Sequence, residues 1–240
     1  TGQDVSRAPS HSWKLPSRYY CDPAIHEREL KRIFQRAWCY VGHQTDLPSA
    51  GSYFTDEVAH QPIVVLRDRD GKIRAFYNVC QHRGHILLKD QGTLAGKIVC
   101  PYHAWSYGLD GALSAAPMTN DVACFDKRDF GLRQLPVAIV AGLVFVNLDK
   151  SARPFEEEAA GFERTILDAL PIMPAFAATN RLRYEIAANW KIVVDNFSEG
   201  YHIPVAHPDL AKLRRRRTTA ATVGETFAFY RGGGRSSLEA

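Results

Sequence analysis

Two cysteines and two histidines form the first group of residues whose types and spacing suggest chemistry. Cys80 and His82 form a Cys-x-His pair, and after 17 intervening residues Cys100 and His103 form a Cys-x-x-His pair. Two thiolates and two imidazoles in paired loops suit either a tetrahedral zinc ion or a two-iron cluster with histidines replacing two cysteines on one iron. Each loop supplies one sulfur and one nitrogen, so each can serve both irons. The spacing therefore favours the cluster and leaves a zinc-stabilised binding module as an alternative.

The residues around these donors carry a family resemblance. Five of them resemble the cluster-binding loops of Rieske proteins: Arg83, Gly84, Pro101, Tyr102 and Trp105. The resemblance implies a Rieske [2Fe-2S] cluster held by all four donors, with a reduction potential between roughly −150 and +300 mV. Such a centre accepts electrons from a flavin/iron-sulfur reductase or a ferredoxin. The histidines are expected to bind through one nitrogen and to present the other outward.

A second group of residues lies downstream, where His202 and His207 are separated by four residues and Glu199 precedes the first by three. This spacing is a weak signal alone. Because the pair follows Asn189-Trp190-Lys191 in the sequence, the pattern resembles the mononuclear iron site of Rieske non-haem iron oxygenases. In that site two histidines and one carboxylate hold Fe(II). The resemblance implies that His202 and His207 bind iron and leave positions open for O₂.

Glu199 receives a separate role from the same resemblance. In that family an acidic residue at this position links a Rieske histidine of one subunit to an iron-binding histidine of its neighbour in a head-to-tail trimer. The resemblance therefore implies an electron bridge at Glu199 and a homotrimer. A solvated helix glutamate is the structural alternative. The family's third ligand, a downstream aspartate, has no counterpart, because no aspartate follows Asp209. We therefore expect a chain truncated at its C-terminus or an incomplete site.

The elements that must position these residues are predicted from local patterns. Asp22 as an N-cap and Pro23 at the first helical position predict a helix of about 16 residues. From Gly51, runs of β-branched and aromatic residues separated by the turn at 69–71 predict antiparallel hairpins. Further short strands are predicted at 97–100, 105–107 and 137–148.

After residue 150 the spacing of apolar residues changes from a strand pattern to a mostly helical one. Apolar residues at helical spacing predict a helix over 155–170, closed by Pro171 and Pro174. The run LRYEIAA at 182–188 predicts a strand, and the segment from Asn189 predicts a helix through Tyr201. We therefore expect an α+β fold with an antiparallel Rieske domain (45–149) inserted in an incomplete, helix-grip-like catalytic domain (150–240). An N-terminal arm and helix (1–44) would pack with the catalytic domain.

Composition restricts the class of protein. The 240 residues are 45% hydrophobic and 23% charged, which is typical of a globular enzyme and excludes collagen, coiled coil and disordered chains. The net charge of +4 gives no argument for nucleic acid. The sequence has neither an apolar run long enough for a membrane span nor a signal-peptide core, so we expect a cytoplasmic protein without membrane contact.

The resemblance also implies a reaction. Electrons would come from NAD(P)H through a separate reductase, and O₂ would be activated to oxidise a small organic substrate. The sequence around His82 and His202 looks most like that of family members acting on quaternary ammonium compounds such as betaine, stachydrine, carnitine or choline. This resemblance implies N-demethylation by hydroxylation. Hydroxylation of an aromatic ring by a dioxygenase alpha subunit is one alternative. A Rieske electron carrier without its own catalysis is another.

Overall fold

The computed structural model describes residues 15–198, 200–213, 220–223 and 228–231. The chain divides into two compact units. The larger unit contains residues 31–182 together with 220–231, and the smaller one contains the N-terminal residues up to Leu30 together with 183–219. Among the described residues, no helix is long and apolar enough to cross a lipid bilayer.

The larger unit is built from short antiparallel strands. Eleven of them are β1 (Cys39–His43), β2 (Ser52–Val58), β3 (Gln61–Arg67), β4 (Ile73–Tyr77), β5 (Gln91–Thr93), β6 (Lys97–Val99), β7 (Ser106–Gly108), β8 (Leu113–Ala115), β9 (Gln134–Leu135), β10 (Val137–Val140) and β11 (Leu143–Val146). They form a five-stranded sheet in the order β5-β2-β3-β4-β9 and two three-stranded sheets, β1-β11-β10 and β6-β7-β8. Two more strands, β12 (Ala220–Val223) and β13 (Ala228–Arg231), pair with each other. The predicted α+β class with an antiparallel domain is confirmed.

The central strand β3 separates two hydrophobic cores. Val64 and Leu66 face the core that includes the four-donor region, whereas Ile63 and Val65 face a second core. Successive side chains of a strand point to opposite faces, so a strand buried on both sides must be apolar throughout. Phe76 on the neighbouring strand β4 extends the first core toward Cys80. The cluster region is therefore supported directly by the five-stranded sheet.

The β3–β4 hairpin confirms the prediction made from the Asp-Gly turn. Gly71 has φ +81°, a left-handed conformation that glycine adopts without a steric cost. Asp68 closes the turn, since its Oδ1 accepts hydrogen bonds from the N–H groups of Asp70 and Lys72 at 2.9 and 2.8 Å. Its Oδ2 accepts one from Arg74 Nε at 2.6 Å. The predicted run at 137–148 is instead a second hairpin, because the chain reverses at Gly142 (φ +88°) between β10 and β11.

The helices are shorter than predicted. They are α1 (Arg18–Cys21), α2 (Pro23–Glu29), α3 (Phe155–Glu158), α4 (Phe162–Ala169), α5 (Trp190–Ser198), α6 (Ile203–Ala206) and α7 (Pro208–Leu213). The side chain of Asp22 caps α2 as predicted, but the α-helix gives way to a π-helical turn at Leu30–Phe34. The helix predicted over 155–170 is broken into α3 and α4, where Gly161 adopts φ +83°.

Two secondary-structure predictions between residues 182 and 201 are wrong. Residues 182–188 form no strand, and no strand in the described part of the chain pairs with them. Their alternating apolar side chains at 182, 184 and 186 are exposed, and without a partner the backbone hydrogen bonds of a strand cannot form. The helix predicted through Tyr201 ends at Ser198, as a turn at 201–202 leads into α6.

Candidate metal centres

The first donor loop runs from Cys80 to His85 and is closed by its own backbone. The N–H of Cys80 donates to the carbonyl of His85 at 2.9 Å, and the N–H of Gly84 donates to the carbonyl of Cys80 at 3.0 Å. Gly84 has φ +68°, so the tight return of the chain uses the residue type that tolerates it. An isolated bridge between Val79 and Ile86 aligns the two ends of the loop.

The second donor loop, which connects β6 to β7, repeats this geometry. The N–H of Cys100 donates to the carbonyl of Trp105 at 2.8 Å, and the N–H of Ala104 donates to that of Cys100 at 3.0 Å. Ala104 occupies the position equivalent to Gly84 and has φ +58°, which costs on the order of 1 kcal/mol for a residue with a Cβ. Two loops with one hydrogen-bond pattern therefore each present one thiol and one imidazole.

Asn78 holds the first loop closed at its base. Its Nδ2 donates to the carbonyl of Leu88 at 2.8 Å, and its Oδ1 accepts from the N–H of Leu88 at 3.0 Å. The Asn78 residue is 2% exposed, so both hydrogen bonds are protected from water. The side chain acts as one extra rung between the strand end and the returning chain.

The two donor loops bring the two histidine rings together and bury the two thiols. Cys80 and Cys100 are both buried, at 2% exposure, and are free thiols. The rings of His82 and His103 lie edge to face with centroids 4.6 Å apart. The His82 ring also stacks on Trp105 at 4.8 Å and 9° between planes. The thiols therefore lie inside the core, while His82 lies at the surface.

One buried atom tests whether these residues fit a metal cluster. Nδ1 of His103 is buried and has no hydrogen-bond partner among the described residues. A buried imidazole nitrogen without a partner costs free energy unless something binds its lone pair. No three His, Cys, Asp or Glu side chains in the described part of the chain form a group able to hold one metal ion. Two-plus-two donation to two irons fits both observations, whereas a tetrahedral zinc ion would need all four donors together.

The protonation states also suit ligation. Partial desolvation and the neighbouring His103 and Arg83 lower the pKa of His82, which favours the neutral imidazole that binds metals. The exposed ring of Tyr102 lies 3.8 Å from the His103 ring, centroid to centroid, and covers one side of it. The neutral form of the His82 imidazole is thus favoured at the edge of the domain.

Tyr107 is a functional residue that the sequence did not reveal. Its hydroxyl lies 3.2 Å from Cys80 Sγ and accepts a hydrogen bond from the N–H of Gln81 at 3.1 Å. Burial and the bond to Cys80 raise the pKa of Tyr107 well above its usual range, so the hydroxyl keeps its proton. A Cys80 thiolate bound to iron could only accept a hydrogen bond, so the Tyr107 hydroxyl would be the donor in the loaded site. A tyrosine two residues after Trp105 on a buried strand was the available signal.

The second group of residues lies at the two ends of α6. His202 precedes α6 and His207 follows it, with ring centroids 5.5 Å apart at 78°. His202 is half-buried and His207 is exposed. The carbonyl of His202 accepts the N–H groups of Val205 and Ala206 at 3.0 and 2.8 Å, which closes the single turn. The structure therefore brings the two predicted iron ligands together.

Two further predictions concern residues near this pair. Glu199 lies outside the described residues. Asp209 is exposed and forms an ion pair with Lys212 at 2.8 Å on α7. No described carboxylate completes a group of three donors with the histidine pair.

Comparisons with known proteins agree with this geometry. Residues 37–126 match the Rieske [2Fe-2S] domain, and residues 173–238 match the ring hydroxylating alpha subunit (catalytic domain). The chain therefore combines a Rieske [2Fe-2S] domain with part of an alpha-subunit catalytic domain, the domain pair of Rieske non-haem iron oxygenases.

Within that class, the chain is similar to one group of oxygenase subunits. It is 37% identical over 209 residues to the carnitine monooxygenase oxygenase subunit of Acinetobacter baumannii, covering 87% of this chain and 56% of that protein. It is 40% identical over 200 residues to the Escherichia coli K12 protein of that name, covering 83% and 54%. Other relatives are named glycine betaine monooxygenase oxygenase subunit and choline monooxygenase, chloroplastic.

A solved structure extends the similarity to three dimensions. The quaternary ammonium Rieske monooxygenase CntA in complex with L-carnitine aligns with a TM-score of 0.87 at 36% identity. The alignment covers 91% of this chain and 62% of that one. The chain thus spans a little over half the length of the curated relatives it matches.

Proposed function

We propose that this chain is part of the oxygenase component of a Rieske monooxygenase acting on a quaternary ammonium compound. The observation that carries the proposal is the pair of matching loops, which contain two buried thiols and a His103 Nδ1 without a hydrogen-bond partner among the described residues. The relatives that share 34 to 40% identity and are named for carnitine, glycine betaine and choline support the substrate class.

The proposed roles follow the domains. Residues 45–149 would form the cluster domain, 150–240 the first part of the iron domain, and 1–44 would pack with it. The cluster ligands would be Cys80, His82, Cys100 and His103, and the iron ligands His202 and His207. When bound, the cluster would relay single electrons and the mononuclear iron would activate O₂.

The protein's own residues prepare these centres. Tyr107 donates a hydrogen bond to Cys80 Sγ and excludes water from the thiol. Trp105 fixes the plane of the exposed His82 ring by stacking. Glu199 would accept a hydrogen bond from a Rieske histidine of a neighbouring subunit and pass the electron to the histidine pair. This role requires a homotrimer, and electrons would enter from an NAD(P)H-dependent flavin/iron-sulfur reductase or a ferredoxin in the cytoplasm.

Hydroxylation of an N-methyl group is the proposed reaction. One oxygen atom of O₂ enters a C–H bond and the other leaves as water, with two electrons and two protons supplied. The hydroxymethyl product then breaks its C–N bond, which releases formaldehyde and leaves a tertiary amine. An aromatic box would hold the cation by cation–π attraction. Ring hydroxylation remains the alternative within the class.

Metal analysis and product assay together test the proposal. Anaerobically purified chain, reconstituted with Fe(II), is analysed for iron and acid-labile sulfide, with H202A as the matched control. We expect three irons and two sulfides for wild type and two of each for the variant. With a reductase, formaldehyde release is then measured with carnitine, glycine betaine and choline, and the hydroxylated ring product is measured with naphthalene as the aromatic control. Turnover of naphthalene alone would overturn the substrate class.

An electron carrier is the second candidate. It is favoured because no carboxylate in the described part of the chain joins His202 and His207 as a third donor. In that case wild type and H202A would both contain two irons and two sulfides, and the chain would pass electrons from a reductase to an external acceptor without forming product.

A further inference from the structure

A buried ion pair holds the start of α5, the helix that precedes the histidine pair. Nζ of Lys191 lies 2.6 and 2.8 Å from the two carboxylate oxygens of Glu29, the last residue of α2. Nε1 of Trp190 donates to Glu29 Oε2 at 2.9 Å. One carboxylate therefore binds both residues that open α5, and the Lys191 residue is only 9% exposed.

A second contact holds the same face of α5 one turn later. The hydroxyl of Tyr20 donates to Asp195 Oδ2 at 3.1 Å. Lys191 and Asp195 are four residues apart, so they lie one above the other on the helix. Lys191 Nζ also lies 5.6 Å from the centroid of the Tyr20 ring. Residues 20–29 thus contact α5 at two levels, which fixes its rotation about its own axis as well as its position.

Stability alone is a poor explanation for such a pair. Removing two charges from water costs several kcal/mol, and an apolar pair of similar volume is often at least as stable. What an ion pair with three directed hydrogen bonds adds is a single register. Here that register belongs to a helix whose last residue, Ser198, is separated from His202 by only three residues.

The magnitude of the effect is set by helix geometry. Cα atoms lie about 2.3 Å from the helix axis, so a rotation of about 20° moves each of them by about 0.8 Å. A metal site tolerates displacements of roughly 0.5 Å. A small loss of rotational control in α5 is therefore large enough to disturb a pair of proposed ligands that begins four residues after the helix ends.

We infer that Glu29 is a positioning residue for the His202/His207 pair: its ion pair with Lys191 sets the rotation of α5 and thereby the path of the chain into α6. This inference rests on the proposed function for the identity of the metal. It assigns a role in the iron site to a residue of the N-terminal segment, 162 positions away from Lys191 in the sequence.

The test compares an apolar replacement of the pair with wild type. In E29M/K191M the side-chain volume is kept and the charges are removed together, so the urea unfolding midpoint is expected to stay near that of wild type. Fe(II) affinity, measured by equilibrium dialysis, is expected to weaken about tenfold or more, while the visible cluster absorption is unchanged. E29Q, which keeps the shape of the side chain, serves as a second variant. R164Q, which removes an exposed ion pair on α4, is the control.

A metal-free measurement separates this inference from the proposed function. Amide hydrogen exchange over 200–213 is expected to be about tenfold faster in E29M/K191M than in wild type, with R164Q unchanged. Exchange over 200–213 that is unchanged in both E29M/K191M and E29Q would overturn the positioning role. Exchange at the unstructured rate already in wild type would also overturn it. If wild type takes up no iron that depends on His202, the proposed iron site fails, and the exchange result alone decides the inference.

Discussion

At the scale of single residues, the cluster site depends on a few atoms whose environment is set by burial. The two thiols are inside the core, His82 is exposed, and Nδ1 of His103 is buried without a hydrogen-bond partner among the described residues. Residues that do not bind metal then adjust those that do. Tyr107 adjusts Cys80 through its hydroxyl, and Trp105 orients His82 through its ring.

Replacing Tyr107 by Phe is expected to lower the reduction potential of the cluster. The hydroxyl donates to the sulfur of Cys80, and such a bond stabilises the more electron-rich reduced state. A bond worth about 1 kcal/mol corresponds to about 40 mV for one electron. Redox titration followed by visible circular dichroism measures the shift. Y40F, at an exposed position on β1, is the control, and an equal shift in both variants would contradict the assignment.

Histidines on the two donor loops are expected to respond differently to alanine. H103A, on the second loop, removes a ligand and is expected to abolish cluster iron and sulfide, since the metal ties the two loops together. H85A changes an exposed side chain whose Nδ1 contacts only the Ile86 carbonyl and is expected to keep the brown colour. Visible absorption and sulfide analysis compare them. A colourless H85A protein would show that the ligand assignment is wrong.

At the scale of elements, the hairpin β3–β4 is the support on which the first loop stands. Its turn is closed by the buried carboxylate of Asp68, which is bound to Arg74 and to two backbone N–H groups. Burial alone would raise the pKa of Asp68, but the bonds to Arg74 and the backbone outweigh it and lower the pKa below its usual value. Asp68 therefore stabilises the hairpin only while its carboxyl is ionised.

The stability contributed by Asp68 is expected to depend on pH in a defined direction. Because the folded-state pKa is lower than the unfolded one, the contribution is complete above the unfolded pKa and is lost as pH falls through the folded value. D68N is expected to be about 2 kcal/mol less stable than wild type at pH 7. The gap should close as the pH falls below roughly 3.9. Urea unfolding at several pH values measures it, with D121N, at an exposed loop position, as control.

At the scale of the whole molecule, the chain matches two domains of Rieske oxygenases. The proposed electron transfer from one to the other passes through Glu199. This residue lies outside the described part of the chain, so its role stays a prediction from the sequence and the resemblance. The two histidines proposed as iron ligands lie 5.5 Å apart, centroid to centroid, at the two ends of the single turn of α6.

Replacing Glu199 by Gln is expected to slow turnover without removing metal. The amide has almost the same shape as the carboxylate but cannot accept two hydrogen bonds as an anion. We expect iron and sulfide contents equal to wild type and a rate lowered by about 10- to 100-fold, with partial recovery in E199D. Single-turnover oxidation of a reduced cluster measures the transfer step. Wild-type turnover in E199Q would refute the bridge.

The sequence by itself determined the features that depend on local spacing. The donor loops, the antiparallel hairpins, the cap at Asp22 and the histidine pair are each contained within about 25 residues, and turn chemistry or ligand spacing specifies them. Some local predictions failed where a partner decides the outcome. Residues 182–188 have a strand pattern but no neighbouring strand among the described residues, and a π-turn ended α2 early.

Only the tertiary structure decided which distant residues meet. Tyr107 reaches Cys80 across 27 positions, and Glu29 reaches Lys191 across 162. These contacts form because hydrophobic burial packs whole strands and helices together, and the energy that selects them is spread over many side chains with no local pattern. Candidate ligands can therefore be proposed from spacing, whereas the residues that contact and orient them are identified only in the folded chain.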